Sequence, residues 1–187
     1  QPSAYRSGDW YDYWRLNNDE VLFYLADGSG HGVTSSLLTS WMAAFHGRSK
    51  TPSQLIQKLN AMLVQENIEK HITMVAGILN LATHEVCWSS AGHYPPPIIF
   101  EPNQPPQILT TSSFPLGLTE ELEVVEHRCT LSRQARFILC SDGALEPFDG
   151  GLNDQFNQLV EHLQHDAFKA PDHVADDIAI LSICRMN

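Results

Sequence analysis

Four aspartates stand at the ends of apolar runs in widely separated segments: Asp9 in SGDWYDYW, Asp27 in VLFYLADGSGHG, Asp142 in RFILCSDG and Asp176 in HVADDIAILSI. A fold in which those strand ends converge delivers several carboxylates to one point. Like charges a few ångströms apart raise one another's pKa and resist joint ionisation. Such a cluster calls for something positive inside it, and divalent cations are the simplest answer.

A length of 187 residues suits one globular domain with a full core, so residues 1–187 are read as a single unit. The 11 Lys and Arg against 22 Asp and Glu give a formal charge of −11. That charge repels nucleic acid phosphates and anionic membrane surfaces, which excludes both as partners, although most of it is ordinary solvated surface. Cys87, Cys129, Cys140 and Cys184 show no zinc-site spacing, and three lie in apolar runs, so buried free thiols are expected. With no signal-peptide core and no apolar stretch near 18 residues, the chain reads as soluble and cytoplasmic. Asp9 follows so soon after Gln1 that an upstream strand beside Asp12–Leu16 is missing. This predicts a piece excised from a longer regulatory protein.

Trp10–Arg15 and Val21–Asp27 are strand-like runs joined by a polar connection from Leu16 to Glu20, which predicts a β-hairpin. In an antiparallel pair the start of one strand faces the end of the next, so Asp9 and Asp27 are expected side by side. Val33, Leu37, Leu38, Trp41, Met42 and Phe45 recur at helical spacing. A second helix is announced by Thr51 as N-cap, Pro52 in the first turn and Gln54 as capping-box partner, with Leu55, Ile56, Leu59, Met62 and Leu63 as its core stripe. Ile72–Leu81 and Glu85–Ser90 predict another hairpin, Leu122–His127 and Arg136–Ser141 further strands, Phe156 to Leu163 a third helix, and Ile178–Ile183 a last strand. Strands in two groups around helices indicate a layered α+β domain.

Asp27-Gly28-Ser29-Gly30-His31-Gly32 ends a buried strand with glycines that let a ligand approach the backbone. A carboxylate beside a free carbonyl is a hard oxygen pair suited to Mg²⁺ or Mn²⁺. Taken singly, such a turn is more often a plain strand-to-helix connection, and the same holds for Ser141-Asp142-Gly143. Asp176-Asp177 precedes an apolar strand, where adjacent carboxylates are costly unless neutralised; solvated acids at a helix end are the equally weighted alternative.

Together, SGDWYDYW, LADGSGHGVTSSLL, SSAGHYPPP, FPLGL, FILCSDGALEP and DDIAILSI, in this order and over nearly the whole chain, resemble the metal-dependent PPM protein phosphatases. The likeness is to their bacterial SpoIIE/RsbU/RssB-like subgroup. The resemblance implies a four-layer αββα sandwich, two antiparallel sheets flanked by helix pairs, with two Mn²⁺ or Mg²⁺ ions at one edge. Carried over by position, Asp27 resembles the carboxylate bridging both metals and Gly28 the carbonyl ligand of the second. Asp142 and Asp176 complete the first metal, and Asp9 holds the second through bound water. Asp27 and Asp142 are the catalytic pair, and Asp176 is taken over Asp177 because the family's pattern puts the ligand first.

The implied activity is that of a serine/threonine phosphoprotein phosphatase, with a phosphorylated regulatory protein such as an anti-sigma factor antagonist as substrate. The resemblance also implies an upstream receiver or sensor domain and allows a homodimer. Two paired cations lower the pKa of a shared water and neutralise phosphate oxygens, so no enzyme nucleophile is required. The competing reading is an inactive phosphatase-fold adaptor of a response-regulator protein. His31 and His93 are the candidates for protonating the leaving alkoxide, though His93 reads first as a residue ordering the Ala-Gly-His turn. The phosphate-binding arginine of eukaryotic members has no clear counterpart beyond Arg6. A larger residue at Gly28 is expected to be harmless, since only its backbone oxygen is needed.

Overall fold

The computed structural model describes residues 8–28, 49–66, 71–165, 168–170 and 176–185, together with Ser40 and Met42. The first antiparallel sheet contains β1 (Asp9–Arg15), β2 (Glu20–Gly28), β3 (Ile72–Asn80), β4 (Glu85–Ala91) and β7 (His127–Thr130), in that spatial order. The second is ordered β6 (Gln107–Ile108), β5 (Ile98–Phe100), β8 (Arg136–Cys140) and β9 (Ile180–Cys184). Helix α1 (Pro52–Gln65) covers the first sheet and α2 (Leu152–Gln164) the second.

The apolar run of β2 has no polar face because it lies between two layers. Leu22, Tyr24 and Ala26 point toward α1 and pack with Leu55, Ile56, Leu59 and Leu63. Phe23 and Leu25, on the alternate side of the pleat, meet Phe137, Leu139 and Ile99 of the other sheet. The Phe23 and Phe137 rings pack edge to face at 6.0 Å between centroids. A third core joins Ile98, Ile138 and Cys140 to Leu159 and Leu163 of α2. Three successive apolar layers give the two-sheet α+β sandwich that the sequence predicts. Among the described residues one helix covers each face; the helical stripe from Val33 to Phe45 lies outside them except for Ser40 and Met42, and Met42 is buried in the first core.

Helix α1 starts as expected: Thr51 Oγ1 accepts from the Gln54 amide at 3.3 Å, and Pro52 occupies the first turn. The Gln54 side chain, however, accepts from the Lys50 amide at 3.2 Å, one residue before the cap. Arg136 donates to the Leu163 and Gln164 carbonyls at 3.0 and 3.1 Å, tying the end of α2 to β8. Among the described residues no helix is long and apolar enough to cross a membrane.

Several expectations change. Leu122–His127 is not a strand; β7 begins only at His127. The buried Asn60 of α1 captures the preceding chain, donating to the Thr119 and Glu120 carbonyls at 2.9 and 3.3 Å and accepting from the Gly117 amide at 2.9 Å. That pull keeps Leu122 and Val124 against the first core instead of in a ladder. Two short strands that the sequence does not predict, β5 and β6, flank the segment from Pro102 to Pro106. Cys87 and Cys140 are buried free thiols, but Cys129 is only partly covered and Cys184 is exposed on an edge strand.

Candidate metal centre

The hairpin of β1 and β2 pairs Asp9 directly with Asp27, and β2 with β3 pairs Asp27 with Thr73. Asp142 opens a 3-10 turn (Asp142–Leu145) just past the end of β8. Both sheets therefore end at the same edge, and one carboxylate oxygen each from Asp9, Asp27 and Asp142 lies within 4.8 Å of the others. The Gly28 carbonyl joins them. A Cβ placed on Gly8 would stand 3.2 Å from Asp27 Oδ1 and 3.5 Å from the Gly28 oxygen, so the bare backbone of Gly8 leaves open the space that both oxygens border. Gly28 is also constrained in a way the sequence reading missed. A Cβ there would meet the Trp10 ring at 2.5 Å, so a larger residue is not harmless in this chain.

Asp176 is exposed and Asp177 buried, and the segment carrying them is held against β8 by Ser141. The Ser141 hydroxyl donates to the Asp177 carbonyl at 3.3 Å and accepts from the Ala179 amide at 2.9 Å, while the Ser141 amide donates to the Ala179 carbonyl at 2.9 Å. Gly143 permits the contact, since a Cβ on it would lie 2.1 Å from the Asp177 oxygen. Asp176 Oδ1 accepts from the Asp177 amide at 2.8 Å. Asp176 stands outside the 4.8 Å group, yet its charge acts on all three of its members. Asp176 and Asp177 themselves lie in no helix, and the five residues before them are outside the described ones.

Burial and mutual repulsion dominate the electrostatics. Asp9 is pushed up to about 7, first by burial and then by Asp27, Asp142 and Asp176, with the Ser141 hydroxyl acting the other way. Asp27 rises to about 6, first by burial and then by Asp142 and Asp176, while the Gly28 amide and His71 pull it down. Asp142 is raised by burial and by Asp176. Among the described residues the buried Asp9 Oδ2 has no hydrogen-bond partner, a costly state for a carboxylate oxygen. An all-oxygen donor set, an orphaned carboxylate oxygen and an open cradle beside Gly8 fit a hard divalent cation.

His93 is buried, and burial pushes it down to about 4, so it is neutral and walled off from a substrate. His31 and Arg6 lie outside the described residues. Ser141 and His71 are neighbours of the cluster that sequence reasoning passed over. Ser141 sits inside the Ser-Asp-Gly motif, and His71 directly precedes the strand whose Ile72 pairs with Gly28, but neither carries a spacing that marks it.

Proteins of known structure share this fold. Phosphoserine phosphatase RsbP of Bacillus subtilis (strain 168) is 24% identical over 203 residues, covering 94% of this chain and 48% of RsbP, so the chain spans about half the length of that relative. The structure of the RsbU and RsbW domains of Rv1364c from Mycobacterium tuberculosis superposes with a TM-score of 0.78 at 20% identity, over 98% of this chain and 56% of that one. RsbX in complex with magnesium gives 0.65 at 17% identity, over 96% and 88%. The sequence model for Stage II sporulation protein E (SpoIIE) matches residues 17–185, nearly the whole length over which the six motifs run, and the chain belongs to the SpoIIE family.

Proposed function

We propose that this chain is a metal-dependent serine/threonine phosphatase domain acting on a phosphorylated regulatory protein. One observation carries the reading: carboxylates from both sheets are gathered within 4.8 Å at one edge, where they repel one another and gain nothing structurally. An adaptor that bound no metal would have no use for that repulsion. The names of the relatives support the direction, RsbP being a phosphoserine phosphatase and RsbX having been solved with magnesium.

Asp27, the Gly28 carbonyl, Asp142 and Asp176 would hold the Mn²⁺ or Mg²⁺ ions, with Asp9 as an outer ligand. When bound, such ions neutralise phosphate oxygens and bring a water's pKa toward neutrality. The protein's own part is to fix the carboxylates before the substrate arrives, through the β1–β2 register and the Ser141 clamp on the Asp176 segment. With His93 neutral and enclosed, a proton for the leaving seryl oxygen comes from the solvent side of the site, where His71 is exposed beside Asp27. An upstream receiver or sensor domain in a cytoplasmic protein would supply the signal.

The test is phosphate release from a phosphoserine-bearing regulatory protein as Mn²⁺ is added. Asp27→Ala and Asp142→Ala should each abolish Mn²⁺-dependent turnover without unfolding the domain. Unchanged turnover in both variants would sink the reading.

A further inference from the structure

His93 does more than fill the core: we infer that it is a positioning residue that ties together the two strand ends carrying Asp27 and Asp142. The inference rests on the metal-centre reading above. His93 lies just past β4 of the first sheet and is only 7% exposed. Its Nε2 is 2.9 Å from the carbonyl oxygen of Cys140, the last residue of β8 in the second sheet. Its Nδ1 is 3.4 Å from Thr73 Oγ1 on β3 of the first sheet. A carbonyl only accepts, so Nε2 carries the proton and Nδ1 is left to accept from the Thr73 hydroxyl. One neutral tautomer satisfies both partners, in keeping with the downward push that burial gives the ring.

Both partners are next to the metal ligands. Thr73 faces Asp27 across the β2–β3 ladder, and Cys140 precedes Ser141 and Asp142. The Cys140 carbonyl also has a reason to need this donor. In the β5–β8 ladder Ile98 pairs with Ile138, and extending that register by two places sets Pro96 opposite Cys140. Proline has no N–H to give, and its neighbours Pro95 and Pro97 have none either. The imidazole replaces the missing ladder bond with one from the other sheet. The core between the sheets is apolar and its contacts are non-directional, while at this edge the carboxylates push the strand ends apart. A directional bond at that point sets the spacing of Asp27 from Asp142.

The experiment is calorimetric titration with Mn²⁺ alone on the wild-type protein and on His93→Phe, His93→Gln and Thr73→Val, each with its urea unfolding midpoint. Leu159→Ala, in the core between the second sheet and α2, serves as a destabilised control. His93→Phe should weaken Mn²⁺ binding about 10- to 100-fold, the range for partners that orient metal ligands. His93→Gln should recover most of the affinity, because its amide N–H can reach a carbonyl, and Thr73→Val should show a smaller loss. Leu159→Ala should lose stability and keep its Mn²⁺ affinity. If His93→Phe fails to fold, the Gln and Thr73→Val variants decide. Wild-type affinity in His93→Phe, or no recovery with Gln, or an equal loss in Leu159→Ala, overturns the inference. A wild-type protein that binds no Mn²⁺ overturns it together with the metal centre, whereas one that binds Mn²⁺ but releases no phosphate overturns only the phosphatase reading.

Discussion

Replacing Asp9 by Asn should stabilise the metal-free protein at alkaline pH, although it removes a residue assigned to the site. The carboxyl titrates near 3.8 ordinarily and near 7 in the fold, because it is buried and faces Asp27, Asp142 and Asp176. Below about pH 4 folded and unfolded chains both carry the proton, and the carboxyl costs nothing. As the pH climbs from 4 toward 7 the unfolded chain releases the proton while the folded one keeps it, so stability falls until Asp9 ionises in the fold. At full weight a rise of that size is worth about 4 kcal/mol. Since the group is only part-buried, solvent screening reduces this to about 1–2 kcal/mol.

Asn cannot ionise and escapes the whole of that loss, and it also removes one of the charges facing Asp27. Urea unfolding in EDTA at pH 4 and pH 8 reads the effect directly. Asp9→Asn should match the wild type at pH 4 and exceed it by about 1–2 kcal/mol at pH 8. Adding Mn²⁺ at pH 8 should invert the order, because a ligand at 100 times its Kd stabilises the protein that binds it by about 2.7 kcal/mol. An Asp9→Asn protein less stable than wild type at pH 8 in EDTA, or a gain that does not vary with pH, would refute the electrostatic account. The expected outcome is the familiar exchange of stability for function at a site.

Two glycines give further tests. Gly28→Ala should cost about 1–3 kcal/mol through overpacking, because its Cβ would meet Trp10 at 2.5 Å; adding Trp10→Leu should return part of that loss, and a wild-type urea midpoint for Gly28→Ala would contradict the packing. Gly143→Ala should be worse tolerated, since the obstacle at 2.1 Å is the backbone oxygen of Asp177. It should weaken Mn²⁺ binding by displacing Asp176, and an unchanged calorimetric Kd would remove Asp176 from the site.

What could be read along the chain was whatever depends on near neighbours. The β1–β2 hairpin brings Asp9 to Asp27 because one short polar connection sets the register, and a slip by one residue would exchange the two faces of β2, moving Phe23 and Leu25 from the inter-sheet core to the helix side. Helix α1 was legible from Thr51 and Pro52 for the same reason. Leu122–His127 has good strand residues but follows a loop that Asn60 captures from a helix 57 to 60 residues away, and no local pattern announces such a capture. β5 and β6 hold three and two residues, too few for alternation to show beside prolines.

The site divides along the same line. Each aspartate was visible as a carboxylate ending an apolar run, but the approach of Asp142 to Asp27 depends on how two sheets pack, which periodicity does not contain. Resemblance to a family supplied the convergence, and the structure supplies its means: the Ser141 clamp, the clearance at Gly143 and the bond from His93 to Cys140. The choice between Asp176 and Asp177 shows why the two sources are needed together. The two side chains stand in different surroundings, Asp176 exposed and Asp177 buried. Motif order favours Asp176, and the fold buries Asp177 beneath Ser141 while leaving Asp176 on the side where its charge reaches Asp9, Asp27 and Asp142.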